Sequence, residues 1–216
     1  MIVIGKRLKL NNLFLIHKIK KINNLFFLTL IILLINTELF ASSKDFISKL
    51  TNDASKVLAS NESKDEKMLK LSNLAKENVD INGIGMYTLG KYRKNLSENQ
   101  INKYKSLFRE YFLKSFSSRL SEYTDPKINV LSEEVINKKY TIVSSVLEAD
   151  EKRPEIKIDW RVYTINPEKP LVRDLIIEGL SLARTQREEF NSIIQNGNND
   201  IEVLFSNLKR ICFHGV

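Results

Sequence analysis

The stretch DLIIEGLSLARTQREEF, Asp174–Phe190, changes rhythm halfway along. It starts as an apolar strand and continues, from Leu182, as a charged helix whose apolar stripe includes Phe190. The pivot is Glu178-Gly179, and glycine takes backbone angles that other residues resist. Ser181 stands where a helix N-cap belongs. Asp174, Glu178, Gly179 and Ser181 are therefore read as a structural hinge between sheet and helix. The two acids are expected to bond nearby backbone or to pair with Arg184, Arg187 or Lys91.

Upstream of this joint the chain alternates with period two. Ile128–Leu131 is a short strand, and Tyr140–Leu147 and Ile156–Thr164 are longer ones. Ile156, Ile158, Trp160 and Val162 share one face of the third, and Leu171–Ile177 completes the set. The connections at Ala149–Pro154 and Asn166–Pro170 are hairpin-sized, which predicts an antiparallel meander of about four strands.

Further upstream the period becomes helical. Helices are expected over Lys44–Leu58, Ser63–Leu74 and Glu98 to about Tyr123, with a short apolar segment Ile81–Leu89 that stops at Gly90. The longest opens on Ser97 with Gln100 three residues on, a capping-box pattern, and its stripe of Tyr104, Phe108, Tyr111, Phe112 and Phe116 is strongly aromatic. Beyond the joint, helices are expected over Leu182 to about Gln195 and Asp200–Ile211. Helices, then strands, then helices give an α+β fold, with the aromatic helix and the helix after Ser181 as expected covers for the sheet.

The N-terminus stands apart. Lys18, Lys20 and Lys21 precede the apolar run Leu25–Ile35, and Ala41-Ser42-Ser43 come after it, the order of a secretory signal peptide. A membrane anchor is the competing reading, but the run falls short of the roughly 20 residues that span a bilayer. Residues 1–43 are expected to be removed, with cleavage near 41–43, leaving 44–216 as a single exported domain. That segment holds six of the 34 Lys and Arg and one of the 26 Asp and Glu, so the overall +8 falls to 28 against 25, or +3. So small a surplus argues against a nucleic-acid partner. The domain is expected to be a monomer, and its one cysteine, Cys212, has no internal disulfide partner.

The chemistry of catalysis is sparse. Of two histidines, His17 lies in the segment to be removed and His214 in the tail, so no interior histidine serves a dyad, a triad or a metal site. Seven glycines form no phosphate-cradling loop. Asp174 and Glu178, four residues apart on one strand, would sit roughly 13 Å apart, beyond the ~5–9.5 Å of a glycosidase pair. No catalytic residue, metal or cofactor is expected.

Two segments carry a resemblance. Asp174-Leu-Ile-Ile-Glu178-Gly179-Leu180-Ser181-Leu182, then Arg187 and Phe190, resembles the D-(three apolar)-E-G-V-S … R-x-x-F signature of the MlaC family. Those proteins are periplasmic phospholipid shuttles, also known as toluene-tolerance auxiliary proteins. Leu89-Gly90-Lys91-Tyr92-Arg93, then Gln100, Tyr104, Phe108 and Tyr111, is similar to the family's L-G-x-(W/Y)-R … Q … F … F … Y segment. The chain departs where the family usually opens its last strand with tryptophan, having Pro170-Leu171, and carries Gln186 where an aromatic often precedes the arginine.

The resemblance implies a highly twisted sheet packed by helices around a hydrophobic cavity that takes acyl chains and leaves the headgroup outside. The expected lining is Phe108, Phe112 and Phe190 from the helices, with Ile142, Val146, Ile158, Trp160, Val162 and Ile177 from the sheet. Phospholipid is then cargo. The partners implied are an inner-membrane ABC transporter with its MCE-domain protein and an outer-membrane lipoprotein complex. A hopanoid carrier of the related HpnM branch, and an envelope interaction or chaperone module without lipid, are the alternatives.

Overall fold

Serine side chains open most of the helices. The computed structural model describes residues 42–151 and 153–214, so the expected signal segment lies outside it except for Ser42 and Ser43. Ser42, Ser63 and Ser97 each accept a bond from the backbone N–H three residues on, and Asp45, Glu66 and Gln100 bond back, giving three capping boxes. These start α1 (Ser43–Ala59), α2 (Lys64–Asn78) and α4 (Glu98–Leu120). Between the last two lies α3 (Ile81–Thr88), capped by Asp80, which accepts from Gly83 N at 2.8 Å. The chain closes with α5 (Leu182–Asn196) and α6 (Ile201–His214).

The sheet is an open antiparallel meander in the order β1-β2-β3-β4-β5. Its strands are β1 (Ile128–Asn137), β2 (Tyr140–Leu147), β3 (Ile156–Tyr163), β4 (Leu171–Ile177) and the two-residue β5 (Leu180–Ser181). The fold is α+β, as the order of rhythms implies. Two strands differ from expectation. β1 extends six residues past Leu131, because Ser132–Asn137 is exposed along an outer edge and so carries no apolar alternation to read. It is interrupted by register shifts at Val130/Ser132 and Val135/Asn137. β5 is too short to show any periodicity.

The apolar interior falls into two clusters. One joins Ile81, Ile84, Tyr104, Phe108, Phe190, Ile194, Leu204 and Phe205 across α3, α4, α5 and α6. The other seats Ile47 of α1, fully buried, on Val143, Val162 and Val172 of three adjacent strands. The main cover of the sheet is thus α1, not the aromatic helix, whose ring stripe serves the helical cluster. An amphipathic stripe announces that a helix is buried without naming the surface that buries it. The helix after Ser181, α5, does pack along β4, as expected.

Candidate functional site

Strand register decides which side chains share a face. Pairing of Thr141 with Val162, Val143 with Trp160 and Ser145 with Ile158 puts the odd residues of β2 beside the even residues of β3. β4 adds Leu175 opposite Trp160 and Ile177 opposite Ile158. One face therefore carries Val143, Ile158, Trp160, Val162, Val172, Leu175 and Ile177, and α1 covers part of it. Ile142 and Val146 pair with Arg161 and Lys157 and lie on the opposite face, so the expected grouping of these two with Ile158, Trp160 and Val162 is corrected. The parity of the β2–β3 connection makes the difference, since a shift of one residue exchanges the faces.

On the apolar face Val162 is fully buried beneath α1, while Trp160, Ile158 and Ile177 are half-buried. Trp160 Nε1 donates to Ser145 Oγ at 2.9 Å, and that hydroxyl donates to the Ile158 carbonyl at 3.1 Å. With its polar handle satisfied, the indole is free to offer an apolar surface.

The helical contribution is a ladder of rings at four-residue spacing. Tyr104 stacks on Phe108 at 5.7 Å, Phe108 meets Phe112 at 6.1 Å and Phe112 stacks on Phe116 at 5.6 Å. Phe190 of α5 meets Phe108 edge-on at 6.2 Å, and both are buried. A Cβ on Gly85 of α3 would lie 2.7 Å from the Phe108 ring, so glycine there admits the ring. The ladder passes from the buried Tyr104 and Phe108 to the half-buried Phe112 and Phe116. Leu175 and Phe116, absent from the expected lining, share the sheet face and the ring ladder of its expected members, a placement their spacing from Ile177 and Phe112 already implied.

Burial disfavours ionisation of two phenols in the helical half. Burial pushes the Tyr104 phenol well above its ordinary range despite its bond to Thr88. Tyr111 is also raised, by burial and then by Glu189, while its hydroxyl donates to Gln186 Oε1 at 2.8 Å.

At the joint between sheet and helix, Glu178 (φ 49°) and Gly179 (φ 81°) form the two-residue loop of the β4–β5 hairpin, whose strands pair through Ile177 and Leu180. Asp174 is buried; its Oδ1 accepts from Ala183 N at 3.0 Å and its Oδ2 from Ser181 Oγ at 2.6 Å, with Arg161 at 3.5 Å. Ser181 Oγ accepts in turn from Arg184 N at 3.1 Å, capping α5. Glu178 faces the other way, accepting from Lys157 N at 2.5 Å. The two acids of this segment are engaged separately, in holding strand to helix and turn to strand.

A second cross-connection ties β4 to α3. Arg173, the extra residue of a bulge opposite Arg161/Val162, donates to Asp80 Oδ2 at 2.6 Å and to Tyr140 Oη at 2.8 Å, and lies 3.6 Å from the Tyr163 ring centroid. Burial opposes its charge, but the bonds to Asp80 and Tyr140 win and hold the guanidinium above its ordinary value. Among the described residues no three His, Cys, Asp or Glu gather as metal ligands, and no helix is long and apolar enough to cross a membrane.

Curated proteins give no match to this chain. A solved structure of a phospholipid-binding protein from Ralstonia solanacearum, in complex with a phospholipid, shares the fold with a TM-score of 0.67 at 15% identity. The likeness covers 80% of this chain and 97% of that one. The family model described as MlaC protein matches residues 44–210, which spans all the described helices and strands except the ends of α1 and α6, and the chain therefore belongs to the MlaC family.

Proposed function

We propose that the protein is a soluble carrier of phospholipid in the periplasm, with the acyl chains held between the two apolar clusters. The observation that carries this is the division of the interior. A single domain usually has one contiguous core, whereas here the sheet cluster and the helical cluster are separate, and Val79 is the residue packed against both. Half-buried apolar side chains border each: Phe112 on α4 with Phe116 stacked on it, and Trp160 and Leu175 on the sheet with Ile158 and Ile177 along the same face. These are the proposed lining, with Phe108, Val162 and Phe190 as its buried backing. Ile142 and Val146, on the other face, take no part. The solved relative of the same fold that holds a phospholipid supports the reading.

The energetics favour a closed carrier. Each methylene kept from water is worth about 0.8 kcal/mol, so two long acyl chains represent on the order of 20 kcal/mol gross. A dry pocket matches a bilayer closely enough for exchange between them to be nearly neutral. Direction then has to be imposed by partners, which we propose to be an inner-membrane ABC transporter with an MCE-domain protein and an outer-membrane lipoprotein complex. The mature chain is proposed to act as a monomer, after loss of the N-terminal segment, and to catalyse no reaction.

Native mass spectrometry of the mature chain purified from the periplasm, with lipid extraction of the same sample, tests this. A stoichiometric glycerophospholipid is expected. A hopanoid would move the cargo to that lipid class, and a clean apo mass that persists after incubation with phospholipid vesicles would overturn the carrier reading.

A further inference from the structure

We infer that a hollow of about 170 Å³ between the end of α2, the start of α3, the middle of α4 and the turn before β4 is a seat for a phosphate group. Its cations come from three separate elements: Lys76 from α2, Arg109 from α4 and Lys169 from the β3–β4 turn. Among the described residues none of them is in an ion pair, and the only side-chain bond of the three is that of Lys76 to Asn73. Two acids also line the hollow, but they are not equivalent. Asp80 is committed to Arg173 and to the Gly83 N–H. Glu77 alone is left to oppose three cations.

The hollow adds a backbone donor. Asn82, in the first turn of α3, also lines it, and its N–H donates to no group of the described chain. A helix start and converging Lys and Arg together suit a phosphoryl group, which accepts several charge-assisted bonds at once. At this size the hollow lies below the ~300 Å³ of ordinary small-molecule pockets, so it takes a headgroup-sized anion and not a chain.

Its position gives the anion a source. One wall is Val79, the residue packed against both apolar clusters, flanked by Ile81 and Leu171. A phosphate seated here lies against the residue that touches both clusters. An amphiphile placed that way has its charge on Lys76, Arg109 and Lys169 and its chains inside. As a headgroup seat the hollow rests on the carrier reading; as a site for free phosphate it does not.

The test uses lipid-stripped mature chain in low salt, with wild type, Arg109→Gln/Lys169→Gln, Glu77→Gln, and Lys64→Gln/Lys209→Gln as a control of equal charge loss elsewhere. All the substituted side chains are exposed. Uptake is measured from phosphatidylglycerol vesicles and from vesicles that offer diacylglycerol, which has the chains without the phosphate. Binding of inorganic phosphate is titrated separately. The double variant is expected to lower phosphatidylglycerol uptake about tenfold, the scale of one lost charge-assisted contact. Glu77→Gln raises it, and neither change alters diacylglycerol uptake or is reproduced by the control. A response confined to inorganic phosphate assigns the seat to free phosphate. Wild-type lipid uptake with every variant unchanged in every arm overturns the seat and leaves the carrier reading standing. No lipid uptake by wild type overturns the carrier reading, and the inorganic phosphate titration then decides the seat alone.

Discussion

Asp174 and Ser181, seven residues apart, meet at 2.6 Å across the Glu178-Gly179 hairpin, and the same carboxylate accepts the Ala183 N–H at the start of α5. The last long strand and the helix after it are thereby fixed by a buried side chain. Asp174→Ala leaves a buried N–H and a hydroxyl without their acceptor, and a loss of about 3 kcal/mol is expected. Ser181→Ala, which removes the cap but leaves Asp174 bound to Ala183, is expected to cost about 1 kcal/mol. Urea unfolding measures both, and equal losses would refute the assignment of Asp174 as the centre of the joint.

The two glycines that matter act for different reasons. Gly179 is at φ 81° with nothing within 4 Å of an added Cβ, so Gly179→Ala meets only backbone strain, about 1 kcal/mol. Gly85→Ala has ordinary helical geometry but drives a methyl to 2.7 Å from Phe108. Overpacking of about 1–3 kcal/mol is expected there, offset by up to about 1 kcal/mol of gained helix propensity. Near-UV circular dichroism separates them, because only the second change disturbs the ring ladder.

Alkaline pH should expose the buried phenol. Burial raises Tyr104 above its ordinary value near 10, so the folded state favours the neutral form. The unfolded phenol ionises first as pH rises. The Tyr104 contribution is therefore fully present below pH 10 and is lost progressively above it. The Thr88 hydroxyl donates to the Gly85 carbonyl at 2.8 Å, so Tyr104 is the donor in its 2.8 Å bond to Thr88. Tyr104→Phe is expected to cost about 1 kcal/mol at neutral pH and to flatten the fall in urea midpoint between pH 9 and 11. A fall of unchanged steepness in that variant would contradict the account.

The capping box of α1 bears on where the proposed cleavage of the N-terminal segment falls. Ser42 caps this helix and exchanges bonds with Asp45, so cleavage after Ala41 preserves the cap while cleavage after Ser43 destroys it. A mature N-terminus at Ser42 is expected, and the intact mass of the exported protein checks it. If cleavage falls after Ser43 instead, α1 is expected to be less stable by about 1 kcal/mol.

Much of this architecture is written locally in the chain. Ser97 and Gln100 mark a helix start, Glu178-Gly179 marks a tight reversal, and hairpin-sized connections give the meander, because each depends on a few adjacent residues. What escaped the sequence is relational. The register that sends Ile142 and Val146 away from Trp160 depends on the parity of the β2–β3 connection, and the seating of Ile47 on Val143, Val162 and Val172 depends on which helix reaches the sheet. The hollow at Lys76, Arg109 and Lys169 gathers residues spread over nearly a hundred positions, with no motif to join them.

The chain contains one tryptophan, and it stands on the apolar face proposed for the acyl chains. Loading the mature protein with phosphatidylglycerol brominated along its acyl chains, beside the unbrominated lipid, therefore reports where those chains lie. Strong quenching of Trp160 emission by the brominated lipid alone is expected. Full lipid uptake with unchanged emission would contradict the placement of the chains, and failure to take up either lipid would contradict the carrier itself.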